Sequence, residues 1–205
     1  MDAIVLGAGQ GQRIGGPKAL LEIDGLTLAE RHVQRALLLR CRRVVLVVRP
    51  EVAAVLDASA CSPLTMAISE APDPAGSLAV GLRALGEADG ALLVTPVDAF
   101  PASQETFTAL TAALEAGAQA ATPLYKDGGG HPVLCRPEVL APYRTASPPP
   151  LRAVLQALGP ARARVRVDDP AIGVDLDTPE DFRHVANASP RFAARVVFRA
   201  AHLHG

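Results

Sequence analysis

The chain is poor in several residue types that mark particular classes of protein. Aromatic residues make up 3% of its 205 residues and tryptophan is absent, whereas hydrophobic residues make up 49%, so a buried core must consist mainly of Ala, Val and Leu. The few cysteines, Cys41, Cys61 and Cys135, are odd in number and not closely spaced. We therefore expect buried thiols in a reduced cytoplasmic setting, not a disulfide framework. No apolar run reaches the roughly 18 residues of a membrane span.

The charge is also close to balanced, with a formal net charge of −1 at pH 7. Lysine and arginine are scattered and form no stripe, which gives no general attraction to nucleic acid or to an anionic membrane. The first residues have the pattern of a strand and not that of a charged leader with a cleavable apolar segment. We expect a cytoplasmic protein with small-molecule partners, of a length that suits one domain with an ample core.

Short apolar runs rich in β-branched residues alternate with alanine- and leucine-rich stretches. The predicted strands are 3–6, 44–48, 64–68, 91–95 and 118–122, and the predicted helices are 27–39, 51–56, 76–86, 103–116 and 151–158. The strand runs contain no alternating polar residues, which is typical of strands covered on both faces. The pattern predicts an α/β fold of three layers with a doubly wound, mostly parallel sheet. Ligands of such sheets lie outside the carboxyl ends of the strands.

We expect a single domain over 1–189 and a C-terminal helical tail over 190–205. In the tail, Arg191, Arg195 and Arg199 recur at about one helical turn, with Phe192 and 196–197 interleaved. This spacing predicts an amphipathic closing helix.

The first apolar run opens into a loop rich in glycine. Residues 3–6 are followed by glycines at positions 7, 9, 11, 15 and 16, with Arg13 and Lys18 among them. Glycine lacks the Cβ atom that would keep a ligand off the backbone, and it tolerates positive φ. The N–H groups of Gly9 and Gly11 can therefore face phosphate oxygens, while Arg13 and Lys18 add positive charge. The loop indicates a nucleoside triphosphate site; the alternative is a glycine-rich surface turn.

Two commoner glycine loops do not fit this stretch. The dinucleotide fingerprint needs a third glycine three places after the second, where this chain has Gln12 or Ile14. The P-loop needs Ser or Thr directly after Gly-Lys, whereas Lys18 lies between Pro17 and Ala19. The failed glycine spacing argues against a dinucleotide-dependent oxidoreductase.

A carboxylate follows the predicted strand 91–95. Asp98 comes just past this apolar run, and thus at the edge of the sheet where ligands bind. A carboxylate is a hard oxygen ligand that suits Mg²⁺. The alternative is that Asp98 caps the following helix, although Ser103 is better placed for that role.

A second acidic cluster lies near the end of the domain. Asp175 and Asp177 alternate around Leu176, so in an extended segment both carboxylates would point to the same side. The next residues predict a helix start, with Thr178 as the N-cap and Asp181 completing a capping box. The alternative for either aspartate is that it ties this cap loop together.

The glycine loop resembles the signature of the sugar-phosphate-type nucleotidyltransferases. The matching residues are Leu6-Gly7-Ala8-Gly9-Gln10-Gly11-Gln12-Arg13-Ile14-Gly15, followed by Pro17-Lys18-Ala19-Leu20-Leu21. The stretch is most similar to the small branch that attaches CMP or GMP to the molybdenum cofactor. The resemblance implies a Rossmann-like nucleotidyltransferase fold and a loop that wraps the triphosphate. The nucleotide-binding residues that it implies here are Leu6, Gly7, Ala8, Gly9, Gly11, Arg13 and Lys18.

The same resemblance implies a site for Mg²⁺, with Mn²⁺ as the alternative metal. In the family a metal-binding Asp follows the corresponding strand, typically as Asp-x-Pro, and this chain has one residue more between Asp98 and Pro101. The family's acidic motif places a second metal ligand at Asp175, with Asp177 as the second choice. The implied catalytic residues are Arg13, Lys18 and Asp98.

Two further segments resemble substrate contacts of the family. Gly76-Ser77 matches the segment that contacts the nucleobase and ribose, and the alternative is an ordinary N-cap. Gly130-His131-Pro132 matches the segment that faces the acceptor, where His131 could hydrogen-bond a phosphate or pterin group. The alternative for this histidine is a structural role beside the proline.

The resemblance implies transfer of a nucleoside monophosphate from a triphosphate to a phosphorylated acceptor, with release of pyrophosphate. Chain length and the Gly-His-Pro segment favour CTP, and GTP stays open. Molybdopterin is the expected acceptor, with a sugar phosphate or another small phospho-alcohol as the alternative. A non-catalytic nucleotide-binding regulator would have no need for both Asp98 and Asp175. The implied partners are the nucleotide, the acceptor and a transiently bound enzyme that receives the finished cofactor.

Overall fold

A central eight-stranded sheet organises the computed structural model, which describes residues 1–198. The strands of the chain are Asp2–Leu6 (β1), Glu22–Ile23 (β2), Leu26–Thr27 (β3), Val44–Val48 (β4), Leu56–Asp57 (β5), Leu64–Ile68 (β6), Leu92–Pro96 (β7), Ala120–Tyr125 (β8), Gly128–Gly129 (β9), Val133–Cys135 (β10), Arg162–Arg166 (β11) and Val196–Val197 (β12). The α-helices are Leu28–Leu38 (α1), Pro50–Ala53 (α2), Pro74–Leu85 (α3), Gln104–Glu115 (α4), Leu151–Ala157 (α5) and Pro179–Ala186 (α6). The 3-10 helices are Lys18–Leu20, Pro137–Arg144, Gly159–Ala161 and Pro170–Gly173.

The strand order of the sheet is β11-β8-β10-β7-β1-β4-β6, with β9 paired to β8. Strand β1 lies parallel between β4 and β7, and β6 and β11 also pair in parallel with their neighbours. Strand β10 runs antiparallel between β7 and β8. The prediction of a doubly wound, mostly parallel sheet is confirmed.

Helices cover the sheet on both faces, which explains why its central strands β1, β4 and β7 are largely apolar. Ala3 and Val5 of β1 pack into one buried cluster with α1 and α4, whereas Ile4 packs into a second cluster with α3 and α5. Alternate side chains of one strand thus enter opposite layers. The cysteines are buried and unpaired, as predicted. Among the described helices, none has the length and apolar character needed to cross a membrane.

Side-chain caps mark where four of the helices, α1, α3, α4 and α6, begin. Thr27 and Glu30 form a capping box at the start of α1, and Thr178 and Asp181 form a second one at the start of α6. The side chain of Ser103 caps α4. The predicted caps at Thr178 and Ser103 are confirmed, and each satisfies N–H groups that have no partner within the helix.

The predicted tail helix is wrong for the part of the tail that the structure describes. From 190 to 198 the chain is extended, and β12 pairs in parallel with β5. Val196 and Phe198 are buried on either side of the exposed Val197, which is the period of a strand. The same pairing ends the predicted helix 51–56 at Ala53. Arg199 and the rest of the tail lie outside the described residues.

Candidate active site

The glycine loop leaves the sheet at the carboxyl end of β1. Gly7 remains bound to the sheet, because its N–H donates to the carbonyl of Val47 over 2.7 Å. A Cβ at Gly7 would lie 3.3 Å from the Cβ of Ala19 and from the oxygen of Val47. Gly7 therefore allows close packing here, and its N–H group is already used.

The loop then turns tightly at Gly11, whose φ is +61°. Its carbonyl accepts hydrogen bonds from the amides of Ile14, Gly15 and Gly16 at 3.0–3.1 Å. A Cβ at Gly11 would collide with the carbonyl oxygen of Gly16. Gly9 is different, since no atom lies within 4 Å of a Cβ built there. Gly11 thus shapes the loop, and Gly9 leaves open space beside its backbone.

Two basic side chains of the loop reach two carboxylates from distant parts of the chain. The Nζ atom of Lys18 donates to Oδ2 of Asp98 over 2.6 Å and also to Oδ1 of Asp177. Nη2 of Arg13 donates to the other oxygen of Asp177 over 2.7 Å. The side chain of Lys18 is mostly buried, at 12% exposed, whereas the side chain of Arg13 is 70% exposed. The loop is thereby tied to both acidic segments.

These ion pairs shift the pKa values of the groups that form them. Burial lowers the pKa of Lys18, but the hydrogen bonds from Lys18 to Asp177 and Asp98 outweigh it, and the pKa is raised. The hydrogen bond from Lys18 lowers the pKa of Asp177, and partial burial opposes this. Lys18 therefore carries its positive charge, and Asp177 its negative charge, at neutral pH.

The backbone brings the two acidic segments side by side. The amide of Leu176 donates to the carbonyl of Asp98 over 3.1 Å, and that of Phe100 donates to Val174 over 3.0 Å. These bonds form an antiparallel bridge between Ala99 and Asp175. Asp175 thus lies opposite Ala99, the residue after Asp98, although Asp98 and Asp175 are 77 positions apart in the sequence.

Asp175 differs electrostatically from Asp177. It forms no ion pair with any residue from 1 to 198, whereas Asp177 pairs with two cations. Its pKa is raised because the surrounding protein removes water from it and because Asp98 and Asp177 are negatively charged nearby. His131 and Lys18 oppose this rise. The negative charge of Asp175 is consequently the least compensated in the site.

A buried histidine supports the loop that carries Asp98. Nε2 of His32, on α1, lies 2.7 Å from the carbonyl oxygen of Ala99. Burial lowers the pKa of His32 to about 4, so the ring is neutral at pH 7. Sequence reasoning missed this residue, because a histidine on the apolar face of a helix gives no signal of what it contacts.

The predicted acceptor segment lies beside Asp175. A Cβ at Gly130 would collide with the carbonyl oxygen of Ile172, so a glycine is needed there for close packing. Nδ1 of His131 is buried without a hydrogen-bond partner among the described residues. Burial lowers the pKa of His131, and the charges of Asp175 and Asp98 oppose this. His131 therefore lies near enough to Asp175 and Asp98 to interact with their charges.

The predicted base-contacting segment begins α3, but its N-cap is Asp73. Oδ1 of Asp73 accepts from the amide of Gly76 over 2.7 Å, and a Cβ at Gly76 would lie 2.7 Å from the Cβ of Ala71. The Gly76 amide is thus used by the cap, as in the alternative interpretation. The hydroxyl of Ser77 lies 3.2 Å from that of Ser69.

A cavity of about 710 Å³ lies beside the glycine loop, Asp98 and Asp177. The predicted site residues that line it are Leu6, Ala8, Gly9, Gly11, Arg13, Lys18, Ser77, Asp98 and Asp177. The predicted site residues that do not line it are Gly7, Gly76, Gly130, His131, Pro132 and Asp175. Its further lining residues are Gln10, Gln12, Arg49, Ala71, Pro72, Asp73, Pro74, Pro96 and Val97.

The sequence analysis did not identify Arg49 as a residue of the cavity, although its position in the sequence indicates it. It directly follows β4, at the same edge of the sheet as the glycine loop. The rule that polar residues just past parallel strands face the ligand applies to it as it does to Asp98.

Comparison with known proteins agrees with this geometry. The family model of the MobA-like NTP transferase domain matches residues 3–165. The chain belongs to the MobA-like NTP transferase family. It is therefore a nucleotidyltransferase, and the family's glycine loop and the strand before Asp98 lie within the matched region. Comparison with curated protein sequences gives no significant match.

Solved structures share the fold of this MobA-like NTP transferase. Rv0371c from Mycobacterium tuberculosis H37Rv is 21% identical, with a TM-score of 0.77, over 92% of this chain and 99% of that one. A structure of the same protein in complex with manganese is 21% identical, with a TM-score of 0.73, over 91% and 98%. Molybdopterin-guanine dinucleotide biosynthesis protein A from Archaeoglobus fulgidus is 17% identical, with a TM-score of 0.60, over 91% and 97%. The 4-diphosphocytidyl-2C-methyl-D-erythritol synthase of Anaerococcus prevotii is 16% identical, with a TM-score of 0.70, over 91% and 95%.

Proposed function

We propose that this MobA-like NTP transferase moves CMP from CTP to molybdopterin in a divalent-metal-dependent reaction that releases pyrophosphate. GTP is the alternative nucleotide, and a sugar phosphate or another small phospho-alcohol is the alternative acceptor. The observation that carries the proposal is the position of Lys18. Its ammonium lies between Asp98 and Asp177, at the edge of a cavity that the glycine loop lines.

The cavity suits a nucleoside triphosphate in size and chemistry. Its volume of about 710 Å³ falls within the range of roughly 300–1,000 Å³ that small-ligand sites occupy. The open backbone at Gly9 and the exposed guanidinium of Arg13 lie on one side of it. These groups are donors and a positive charge, the features that phosphate oxygens require.

The donor set also fits a divalent cation. In residues 1–198 no three His, Cys, Asp or Glu side chains converge on one point, so the protein alone offers fewer than three such ligands. Mg²⁺ is commonly held by one or two carboxylates together with substrate phosphates. Asp98 and Asp175 are the proposed pair, because Asp175 has no cation partner among the described side chains and its pKa is raised by burial and by neighbouring negative charge. Asp177 is the second choice, since Arg13 and Lys18 already neutralise it.

The reaction is a displacement at the α-phosphorus by an oxygen of the acceptor phosphate. That oxygen forms the new P–O bond as the bond to pyrophosphate breaks. A phosphate monoester is largely ionised near neutral pH, so the protein needs no strong general base. Arg13 and Lys18 would bind the phosphate oxygens that gain negative charge, and the rigid loop would hold them in line. A bound divalent cation would add charge neutralisation at the phosphates.

The acceptor segment contributes one candidate contact to the acceptor. Nδ1 of His131 is buried without a protein partner in the described chain, and burial lowers the pKa of His131 while the charges of Asp175 and Asp98 oppose this. Because His131 does not line the cavity, its contact with the acceptor is proposed from the family resemblance. Relatives of the fold are named for both cytidylyl and guanylyl products, and the assay below compares the two triphosphates.

The test is pyrophosphate release from CTP or GTP with Mg²⁺ and molybdopterin or a sugar phosphate. Asp98→Ala should abolish release while its circular dichroism spectrum and Tm stay close to those of the unmodified protein. Near-normal turnover of this variant would refute the role of Asp98. Turnover only with a sugar phosphate would select the alternative acceptor.

Thermal shift separates binding from turnover. A ligand that binds only the native state raises Tm, so CTP, GTP, ATP and UTP are compared with and without Mg²⁺. Stabilisation by one triphosphate without pyrophosphate release from any acceptor would favour a nucleotide-binding regulator over an enzyme.

A further inference from the structure

We propose that Phe192 is a positioning residue for the triphosphate loop, an inference that rests on the proposed nucleotide-binding role of that loop. The ring of Phe192 sets the path of the loop at Gly16, and through Gly16 the place of Lys18. Phe192 follows α6 and lies beyond the region that the family model matches.

The ring lies directly against the loop backbone. A Cβ atom at Gly16 would be 3.1 Å from Cε1 and Cζ of Phe192 and 3.3 Å from Cδ1. Gly16 does not have the positive φ of Gly11 and Gly15, so backbone conformation does not require a glycine there. The ring of Phe192 is therefore the group that a side chain at this position would press against.

The tail also holds the chain beyond Lys18. The amide of Glu22 donates to the carbonyl of Arg191 over 2.8 Å, and that of Ala193 donates to Leu20 over 2.9 Å. Leu21 and Phe192 form the antiparallel bridge between these bonds. Lys18 thus lies between two attachment points, the ring contact at Gly16 and the backbone bonds at 20–22.

The contact acts on the site from outside it. Phe192 does not line the cavity, and its ring contacts the loop at Gly16. Gly16, however, closes the Gly11 turn with its amide and stands two residues before Lys18. A displacement of Gly16 moves both the turn and the ammonium that bonds Asp98. Misplacement by about 1 Å of a group that acts on phosphate can cost about a hundredfold in rate.

Phe198 provides a matched control within the same tail. It is 3% exposed and its amide donates to the carbonyl of Asp57 over 2.8 Å. It therefore anchors the tail at β5, in the same buried cluster but without a contact to Gly16. Replacing Phe198 removes a comparable aromatic ring and tests the general stability of the tail.

The first experiment needs no ligand. Backbone hydrogen exchange over residues 11–22 is measured by mass spectrometry in the intact chain and in Phe192→Leu, Phe192→Ala and Phe198→Ala. Both Phe192 variants should speed exchange in this segment by about tenfold or more, with little change at β4 and β7. Phe192→Tyr keeps the ring and should restore slow exchange. If Phe198→Ala accelerates the loop as much as Phe192→Ala does, the positioning role is refuted.

The second experiment tests compensation between the ring and the glycine. Gly16→Ala alone should weaken binding of Mg²⁺·CTP or Mg²⁺·GTP, whichever binds the intact protein, by about tenfold, since the new methyl displaces the loop. In the Phe192→Leu background, Gly16→Ala should change the logarithm of Kd by less than about half as much as it does in the original protein. Full additivity of the two substitutions would overturn the proposal.

The failures of the two proposals are distinguishable. If neither triphosphate binds the intact protein, the proposed function fails, and compensation is then scored on loop exchange alone. Coupling between Gly16→Ala and Phe192→Leu in that exchange would still support the role of Phe192, and its absence would refute it.

Discussion

The ammonium of Lys18 lies 2.6 Å from a carboxylate oxygen of Asp98, although 80 positions separate the two residues in the sequence. The pair forms because β1 and β7 are parallel neighbours, so the segments that follow both strands meet at one edge of the sheet. Lys18 thereby neutralises Asp98, a proposed metal ligand, and Asp177, the second choice. Nucleotide binding must redistribute these charges, and the first prediction follows from that.

Lys18→Met should weaken binding of the Mg²⁺-triphosphate complex by about 10- to 100-fold, which is the size of one charge-assisted hydrogen bond. Isothermal titration calorimetry of the variant provides the measurement. Lys126→Met is the control, because Lys126 is exposed, lies outside the cavity and stands against the ring of Tyr125. Equal affinity in the two variants would contradict a phosphate-binding role for Lys18.

The glycines of the loop should separate ligand approach from loop shape. Gly9→Ala meets no protein atom within 4 Å, so its Tm should stay within about 2 °C of the original, while triphosphate affinity falls because the methyl occupies the cavity. Gly11→Ala collides with Gly16 and forces an alanine to a φ of +61°, so both Tm and affinity should fall. Unchanged affinity in Gly9→Ala would show that no ligand approaches the backbone there.

The acids should differ in their affinity for a metal. Asp175→Asn should weaken Mn²⁺ binding by about tenfold or more, because the variant removes the least compensated negative charge and a candidate ligand. Asp177→Asn should weaken it less, because Asp177 is already paired with Arg13 and Lys18. Electron paramagnetic resonance of free Mn²⁺ gives both affinities. The reverse order would assign the second ligand to Asp177.

Much of the sheet and the candidate loop could be predicted because their signals are local. The apolar runs 44–48 and 64–68 coincide with β4 and β6, and the caps at Ser103 and Thr178 are where the sequence places them. Each of these depends only on residues a few positions apart.

What could not be predicted depends on pairing between distant segments. The arginines at 191 and 195 have a spacing that fits a helix, but the tail pairs with β5 and with the residues after the glycine loop, which no local pattern reveals. For the same reason, the sequence did not indicate that Phe192 covers Gly16, or that His32 lies under Ala99.

His32 should make stability depend on pH between about 4 and 6.5. Burial depresses its pKa from 6.5 to about 4 in the folded protein, so the unfolded chain binds the proton more readily. The stabilising contribution of neutral His32 is thus complete above pH 6.5. As the pH drops to about 4, the free energy of unfolding should fall by about 3 kcal/mol. His131 shifts in the same direction. Urea unfolding at pH 7 and pH 4.5 should show a smaller loss for His32→Gln than for the control at the exposed residue, His184→Gln. An equal loss would show that His32 is not the titrating group.

Asp169 should be the main polar support of the second acidic segment. Its carboxylate is 6% exposed and accepts from the amide of Ser103 and the hydroxyl of Thr106, each over 2.7 Å, and from the amide of Ala171 over 3.1 Å. Asp169→Ala leaves these donors buried without a partner and should cost about 2–4 kcal/mol of unfolding free energy. Asp168→Ala, at the exposed neighbour, should cost less than about 0.5 kcal/mol.

The effect of Asp169 should also depend on pH in a defined direction. Burial raises its pKa, but the hydrogen bonds from Ser103, Thr106 and Ala171 outweigh this, and the pKa is lowered. Its contribution is therefore complete above about pH 3.8, the unfolded value, and is lost as the pH falls through the folded pKa. Because the turn that Asp169 caps leads directly to Val174, Asp169→Ala should also weaken Mn²⁺ binding at Asp175. Unfolding at pH 7 and at about pH 3 tests the pH dependence, because the variant and the original protein should differ less in stability at the lower pH. Mn²⁺ titration at pH 7 tests the effect on the metal. A variant that loses stability while its Mn²⁺ affinity is unchanged would show that the pairing of residues 98–100 with 174–176 holds without this cap.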